Sequence, residues 1–229
     1  MKNFLKQRFL PAFMLVLGFG IALNNAAQAA EERDAQKLLD KSYYAYQDLM
    51  STGNAEVNSL LKDARAILIY PSVGKGGLII GGEHGKGVLL ARDNDRTWSN
   101  PAFYDIASLS FGLQAGYQNT RILLIIMEDD ALTSILEGKL KIGADASAVL
   151  IDEGADGEVS TNTARSDMYY YAQADGGVYV GLSLEGSSIE PRKKLNNAFY
   201  DGEPTPTDIV IRRTVSNDMA DRLIKILPK

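Results

Sequence analysis

Residues 66–91 read AILIYPSVGKGGLIIGGEHGKGVLLA and decide the class of fold. Three short apolar runs in this segment are bounded by Pro71 and by glycines, a pattern typical of β-strands. The runs are 66–70, 77–81 and 87–91. Residues 82–86 (GEHGK) carry turn-forming residues between the second and third runs, so we predict a hairpin with its turn there. The segment therefore predicts an antiparallel sheet.

The chain after this segment continues the strand pattern. Further apolar runs are separated by Gly, Asn and Asp clusters at the spacing of an antiparallel sheet. These runs are 103–111, 113–117, 122–127, 146–151, 168–172 and 178–184. We expect most of them to lie in one sheet.

The segment before the sheet, residues 31–52, has the period of an amphipathic helix. Its apolar positions recur at three- and four-residue steps and fall within an arc of about 140° at 100° per residue. They are Ala35, Leu38, Leu39, Ser42, Tyr43, Tyr46, Leu49 and Met50. Lys37, Lys41 and Tyr44 lie on the other side. We expect the apolar face to pack on the sheet, while burial of that face in a membrane interface is the alternative.

Three more helices are predicted. Asn54 caps a short one that carries Val57, Leu60 and Leu61, and Asp129 or Asp130 caps Ala131 to Leu136. Residues 215–227 form the last one. Together the patterns predict an α+β domain, in which N-terminal and C-terminal helices cover a curved, largely antiparallel and barrel-like sheet.

Residues 1–29 have the features of a cleaved secretory signal peptide. Three basic residues precede an apolar stretch at 9–23, and Ala27-Gln28-Ala29 has the small-x-small spacing of a cleavage site. Residues 30–229 are then a single exported domain, for which we expect the periplasm and a peripheral place at the inner or outer membrane. Cleavage leaves 21 Lys and Arg against 29 Asp and Glu, a net charge of about −8.

Composition excludes several classes of protein. The chain has 229 residues, of which 45% are hydrophobic, so it has enough apolar side chains for a core. It has no cysteine and one histidine, which excludes a thiol nucleophile, a disulfide framework and multi-histidine metal sites. Because the net charge is negative, we expect no nucleic acid partner.

Sequence motifs for catalysis are incomplete. Residues 73–77 (VGKGG) lack the spacing of a phosphate-binding loop, and residues 152–157 lack the acidic positions of a calcium loop. His84 is the only histidine that a hydrolase could use as a base, and it lies in a glycine-rich segment without motif support. We therefore expect a binding protein that is not an enzyme and needs no cofactor or metal.

Several motifs in fixed order identify a known family. They are ARAILIYPSVGKGG (64–77), GG (81–82), GKGVL (85–89), WSNPAFY (98–104), GLQAG (112–116) and GLSLEGS (181–187). In this order they resemble the SYLF lipid-binding domain, which is shared with fungal actin-binding SH3 proteins. The resemblance covers residues 36–200.

The resemblance implies a phospholipid-binding module, which in eukaryotic members recognises lipid through an N-terminal amphipathic segment with basic residues. We predict binding of anionic phospholipid at an envelope membrane through the helix 31–52 and nearby basic groups. The candidate residues are Lys37, Leu38, Lys41, Tyr43, Lys75, Lys86, Arg192, Lys193 and Lys194. Export makes actin an unexpected partner. The alternative is a structural or protein-interaction domain that binds an envelope protein and no lipid.

Overall fold

The computed structural model describes residues 10–76, 80–111, 118–151, 166–175 and 183–229. Side chains are described from residue 27 onward, except those of 75, 76, 80–82, 109–111 and 118. Two predicted strands, 113–117 and most of 178–184, lie outside the described residues, as does the segment 152–157.

The described residues form an eight-stranded sheet at the centre of the protein. Its strands are β1 (Ala66–Gly76), β2 (Ile80–Ala91), β3 (Ala102–Phe111), β4 (Gln118–Ile126), β5 (Leu140–Lys141), β6 (Ala148–Leu150), β7 (Met168–Ala174) and β8 (Ser188–Pro191). Their order across the sheet is β5-β8-β3-β2-β1-β4-β7-β6. All neighbours are antiparallel except β6 and β7, which are parallel.

The sheet curls into a half-barrel, which the chain connectivity requires. The two edge strands, β5 and β6, are joined by residues 142–147 alone. Such a link reaches about 25 Å, whereas the edges of a flat eight-stranded sheet lie about 34 Å apart. The sheet must therefore bend until its edges approach, and the predicted curved, barrel-like α+β fold is confirmed.

In the described part of the chain, six helices surround the sheet. They are α1 (Leu10–Ser51), α2 (Ala55–Asp63), α3 (Asp129–Leu136), α4 (Lys193–Tyr200), α5 (Pro206–Val210) and α6 (Asp221–Ile224), with a 3-10 turn at Asp218–Ala220. Helices α1, α2, α4 and α6 contribute to a core on one face of the sheet, which is called the helix-covered side below. Helices α3 and α5 contribute to a second core on the opposite face. Because both faces of the sheet are buried, the sequences of the central strands are continuously apolar and do not alternate between apolar and polar residues.

Helix α1 packs its apolar face on the sheet, as predicted. Ala35, Leu38, Ser42, Ala45 and Leu49 follow one another at steps of three and four residues, and all are buried. The small side chains at three of these positions allow the helix to approach the strands closely, and the Ser42 hydroxyl donates to the Leu38 carbonyl oxygen at 2.9 Å. The alternative, with this face in a membrane interface, is not the arrangement seen in the structure.

Helix α1 begins earlier than predicted and runs through the expected cleavage site after Ala29. Removal of residues 1–29 would leave residues 30–51 as the docked part of the helix. It would also remove one contact, the hydrogen bond from Gln28 Nε2 to Asp201 Oδ1 at 3.2 Å. Among the residues searched, which are the described ones, no helix is both long and apolar enough to cross a membrane.

The predicted hairpin turn at residues 82–86 is wrong, because these residues lie inside the continuous strand β2. All of them pair with β3, and Gly85 pairs with Val73 of β1. Gly85 serves close packing instead of a turn, because a Cβ atom on it would lie 2.6 Å from Cγ2 of Val73. A Cβ atom on Gly87 would lie 2.5 Å from the Tyr70 ring and 2.6 Å from the Ile69 carbonyl oxygen.

The expected end of β1 at Pro71 is also wrong. The strand continues to Gly76, and its register with β2 shifts between Ile69 and Ser72. Proline has no N–H to donate, so a central strand can contain it only where the ladder is interrupted by a bulge. The bulge at Tyr70 and Pro71 moves the Tyr70 ring against Gly87, which explains why this position of β2 has no side chain.

Apart from the start of α1, helix boundaries differ from the predictions in two places. Asn54 caps α2 as predicted, with its Oδ1 accepting from Val57 N at 3.0 Å. The N-cap of α3 is Glu128, without a side-chain hydrogen bond, instead of Asp129 or Asp130. The predicted helix 215–227 is helical only over 218–224. Helices α4 and α5 and strands β5 and β8 are not among the predicted elements.

Candidate functional site

The outward side of α1 carries the first group of candidate residues. Lys37 and Lys41 are exposed, and Lys37 has only a loose ion pair with Asp34, at 3.9 Å. Tyr43 is half-buried against the helix-side core, and Leu38 is buried within it, with 7% exposure. In this conformation the two lysines are accessible to a ligand, and Leu38 is not.

A cluster of Tyr43, Tyr44 and Arg222 joins α1 to α6. The Arg222 guanidinium carbon lies 3.9 Å from the centre of the Tyr43 ring and 5.1 Å from that of Tyr44. Arg222 also donates to the Tyr44 hydroxyl at 3.2 Å, and this hydrogen bond raises the pKa of Arg222. Tyr44 remains 53% exposed. The cluster therefore presents the Tyr44 ring and the permanent cation of Arg222 at the surface. Lys41 lies beside Tyr44 on α1.

Asp105 brings together basic groups that are far apart in sequence. Its carboxylate accepts two hydrogen bonds from Arg192 Nη1, at 2.8 and 3.0 Å. His84 Nε2 lies 3.9 Å from Asp105 Oδ1, and Lys86 is the cross-strand neighbour of Asp105 in the β2–β3 ladder. Of the predicted candidates, the structure thus places Lys86 and Arg192 in one group.

Helix α4 begins directly after this group. Lys193 and Lys194 are its first two residues and are exposed. The helix has no acidic residue in its first turn, and its N-cap, Arg192, makes no side-chain capping bond. Since the N-terminus of a helix carries a partial positive charge, these cations add to it instead of compensating it. The start of α4 is therefore a concentrated region of positive potential.

Helices α1 and α4 lie against each other on the same side of the sheet. A groove of about 510 Å³ between them is lined by one cation, Lys194 of α4, and by three carboxylates, those of Glu31 of α1 and of Asp201 and Glu203 after α4. The two predicted groups of basic residues therefore share the helix-covered side of the protein. Lys75 belongs to β1 and pairs with Glu83 and Gln118, but its side chain lies outside the described residues.

The surroundings of His84 do not suggest a hydrolase. Its side chain is 58% exposed, and the carboxylate beside it, that of Asp105, already accepts both hydrogen bonds from Arg192. Within the part of the chain that the structure describes, no three His, Asp or Glu side chains are grouped to hold a metal ion.

Sequence reasoning missed Tyr44, Arg222 and Asp105. Tyr44 was placed on the polar side of the helix, and an aromatic residue in that position is the signal that could have identified it. Arg222 and Tyr44 are 178 residues apart in the sequence. Asp105 and Arg192 are 87 residues apart. No local pattern connects residues so far apart.

Comparisons with known proteins place this arrangement in context. The family model described as "Ysc84: Las17-binding protein actin regulator" matches residues 107–229. The chain is 28% identical over 201 residues to Protein YSC84 of Saccharomyces cerevisiae, covering 86% of this chain and 42% of that protein. It is 28% identical over 159 residues to the human SH3 domain-containing YSC84-like protein 1, covering 68% and 46% respectively. The chain thus spans less than half the length of these relatives.

Proposed function

Because the chain belongs to the Ysc84 (SYLF) domain family, we propose that it is a non-catalytic domain that binds anionic phospholipid at a membrane surface. The contact is made by the helix-covered side of the sheet. With the signal peptide predicted for residues 1–29, the membrane would be one of the cell envelope, reached from the periplasm.

One observation carries the proposal: cationic side chains of two adjacent helices remain exposed on one side, while the apolar face of α1 is buried. The cations are Arg33, Lys37, Lys41, Lys193 and Lys194. A lysine or arginine near an anionic membrane surface contributes about 1 kcal/mol. Binding would therefore be electrostatic and peripheral, without insertion of α1.

The exposed ring of Tyr44 supports the same contact. Tyrosine is enriched at membrane interfaces because its ring is apolar and its hydroxyl is polar. Arg222 fixes this ring at the surface by stacking and by a hydrogen bond. The ring would lie among lipid headgroups while the neighbouring lysines contact phosphates.

Charge reversal tests the proposal. We expect K37E/K41E and K193E/K194E each to weaken binding to vesicles of phosphatidylcholine with phosphatidylglycerol at least tenfold, because each removes about 2 kcal/mol of attraction. Co-sedimentation measures the bound fraction. The control K139E/K141E makes the same change of charge at the edge strand β5 and the residue before it, outside α1 and α4.

Salt provides the second arm of this experiment. Binding to anionic vesicles should fall between low and physiological ionic strength, because exposed charges are screened within about 8 Å at 0.15 M. Equal binding to neutral vesicles, or equal losses in the helix-side variants and the control, would contradict an electrostatic contact at this surface.

A protein partner is the second candidate function, and the names of the relatives favour it. The family description speaks of Las17 binding and actin regulation, and a yeast relative is called LAS seventeen-binding protein 3. For this chain, an envelope protein bound by the same helix-covered side would fit these names. Vesicle binding separates the two candidates, because a domain specific for a protein partner would sediment with neither kind of vesicle.

A further inference from the structure

A cavity of about 160 Å³ lies between the end of α2 and the loop that follows β2. Four cations and two carboxylates are among the side chains that line it. They are Lys62, Arg65, Arg92, Arg96, Asp63 and Asp93. The cavity is separate from the cations of α1 and α4, so its role does not depend on the function proposed above.

Two arginines of the cavity are held in place by backbone carbonyl groups. Arg92 Nη1 donates to the carbonyl oxygens of Leu61 at 3.2 Å and Lys62 at 3.0 Å, and Arg92 Nη2 donates to that of Pro228 at 2.7 Å. The Arg92 guanidinium also stacks on the Trp98 ring at 4.3 Å. Arg96 Nη2 donates to the Lys62 carbonyl oxygen. Guanidinium groups fixed in this way lose little conformational entropy when they bind a ligand.

The cavity has an excess of positive charge. Asp93 accepts hydrogen bonds from Thr97 and forms an ion pair with Arg213, which does not line the cavity. Arg65 is similarly paired with Asp129 at 3.3 Å. Lys62, Arg92 and Arg96 then face a single further carboxylate, that of Asp63. Burial and the nearby charge of Arg96 lower the pKa of Arg92, as expected where like charges are crowded.

From this arrangement we infer that the cavity binds a phosphate group. The excess of about two positive charges matches the charge of −1.5 to −2 that a phosphate monoester carries near neutral pH. Arginine presents its N–H groups in a planar fork that suits phosphate oxygens. The group can belong to a free phosphate monoester or to a lipid headgroup, since both offer the same oxygens.

Titration calorimetry tests the inference with inorganic phosphate and with glycerol 3-phosphate. In the variant K62Q/R96N we expect the affinity for both to fall at least tenfold. Asparagine suits position 96 because Arg96 has a φ of 62°, which asparagine tolerates better than most residues. Arg92 is left unchanged because it holds α2 and the C-terminal segment. The control K139Q/K141Q removes the same charge elsewhere and should bind as the unmodified protein does.

A second variant and a vesicle arm complete the test. Lys62→Glu keeps both arginines and should abolish binding, so a folding defect of the double variant cannot hide the result. If K62Q/R96N also binds vesicles containing phosphatidic acid more weakly, the phosphate group belongs to a lipid headgroup. If the variant loses affinity only for the soluble phosphates, the phosphate group belongs to a free monoester. The absence of phosphate binding by the unmodified protein, or equal affinities in K62Q/R96N and the control, would overturn the inference.

Discussion

Gly87→Ala is expected to destabilise the protein by about 3 kcal/mol, the upper part of the range for overpacking a buried site. The new Cβ would lie 2.5 Å from Cδ1 of Tyr70 and 2.6 Å from the Ile69 carbonyl oxygen. Neither neighbour can move easily, because Tyr70 and Ile69 are fully buried in the central strand. Thermal unfolding should show the loss as a decrease in Tm of roughly 6–12 °C for a chain of this length.

Gly202→Ala is the matched control. This glycine is exposed, and an added Cβ would meet only ordinary contacts, at 3.8 and 3.9 Å. Its Tm should change by less than about 2 °C, as surface substitutions usually do. Equal Tm values for the two variants would mean that the bulge at Pro71 does not bring Tyr70 against β2.

Leu49→Ala is expected to lower the free energy of unfolding by about 2–5 kcal/mol, the range for truncation of a buried leucine. Leu49 is 1% exposed and belongs to the core between α1 and the sheet. The experiment is denaturant unfolding in the absence of lipid, with Gln47→Ala as the control. Gln47 is exposed on the same helix, so its replacement should change stability by less than about 0.5 kcal/mol.

This comparison also decides how α1 can contact a membrane. If Leu49→Ala were no more destabilising than Gln47→Ala, α1 would not be docked in solution, and its apolar face would be available for insertion into lipid. The expected difference instead leaves the outward residues, Lys37, Lys41 and Tyr44, as the part of α1 that a membrane can reach. The two mechanisms therefore predict opposite results from a measurement made without lipid.

The docked helix has a counterpart in the C-terminal segment. Pro228 is held by two hydrogen bonds to its carbonyl oxygen, one from Trp98 Nε1 and one from Arg92 Nη2, each at 2.7 Å. The last helix, α6, contacts α1 through Arg222 and its two tyrosines. The docked part of α1 and the C-terminal segment thus pack on the same side of the sheet, where the proposed lipid contact lies.

The sequence alone was sufficient for the class of fold and for the orientation of α1. Continuous apolar runs bounded by glycine indicated strands, and the three- and four-residue period of 35–49 indicated which face of α1 is buried. These features depend on local backbone preference and on the side-chain period of an element, which are both readable along the chain. The packing of Leu38 and Leu49 on the sheet followed from the same period.

The role of the glycines in β2 could not be predicted from local sequence patterns. Glycine is typical of turns, so residues 82–86 predicted a turn, while in the structure Gly85 and Gly87 allow close packing within a strand. The difference depends on Tyr70, Ile69 and Val73 of the neighbouring strand. A local pattern does not contain that neighbour, because the β1–β2 register and its bulge are properties of the assembled sheet.

The residues of the candidate sites also differ in whether a local pattern or only the tertiary structure identifies them. The sequence by itself identified Lys37, Lys41 and the basic run 192–194, since exposed charge on a helix and runs of cations are local features. Only the tertiary structure placed Lys86 beside Asp105 and Arg192, and Arg96 beside the end of α2. Side chains converge on a site through strand order and helix packing, which are set by the burial of the whole core and not by the residues of the site.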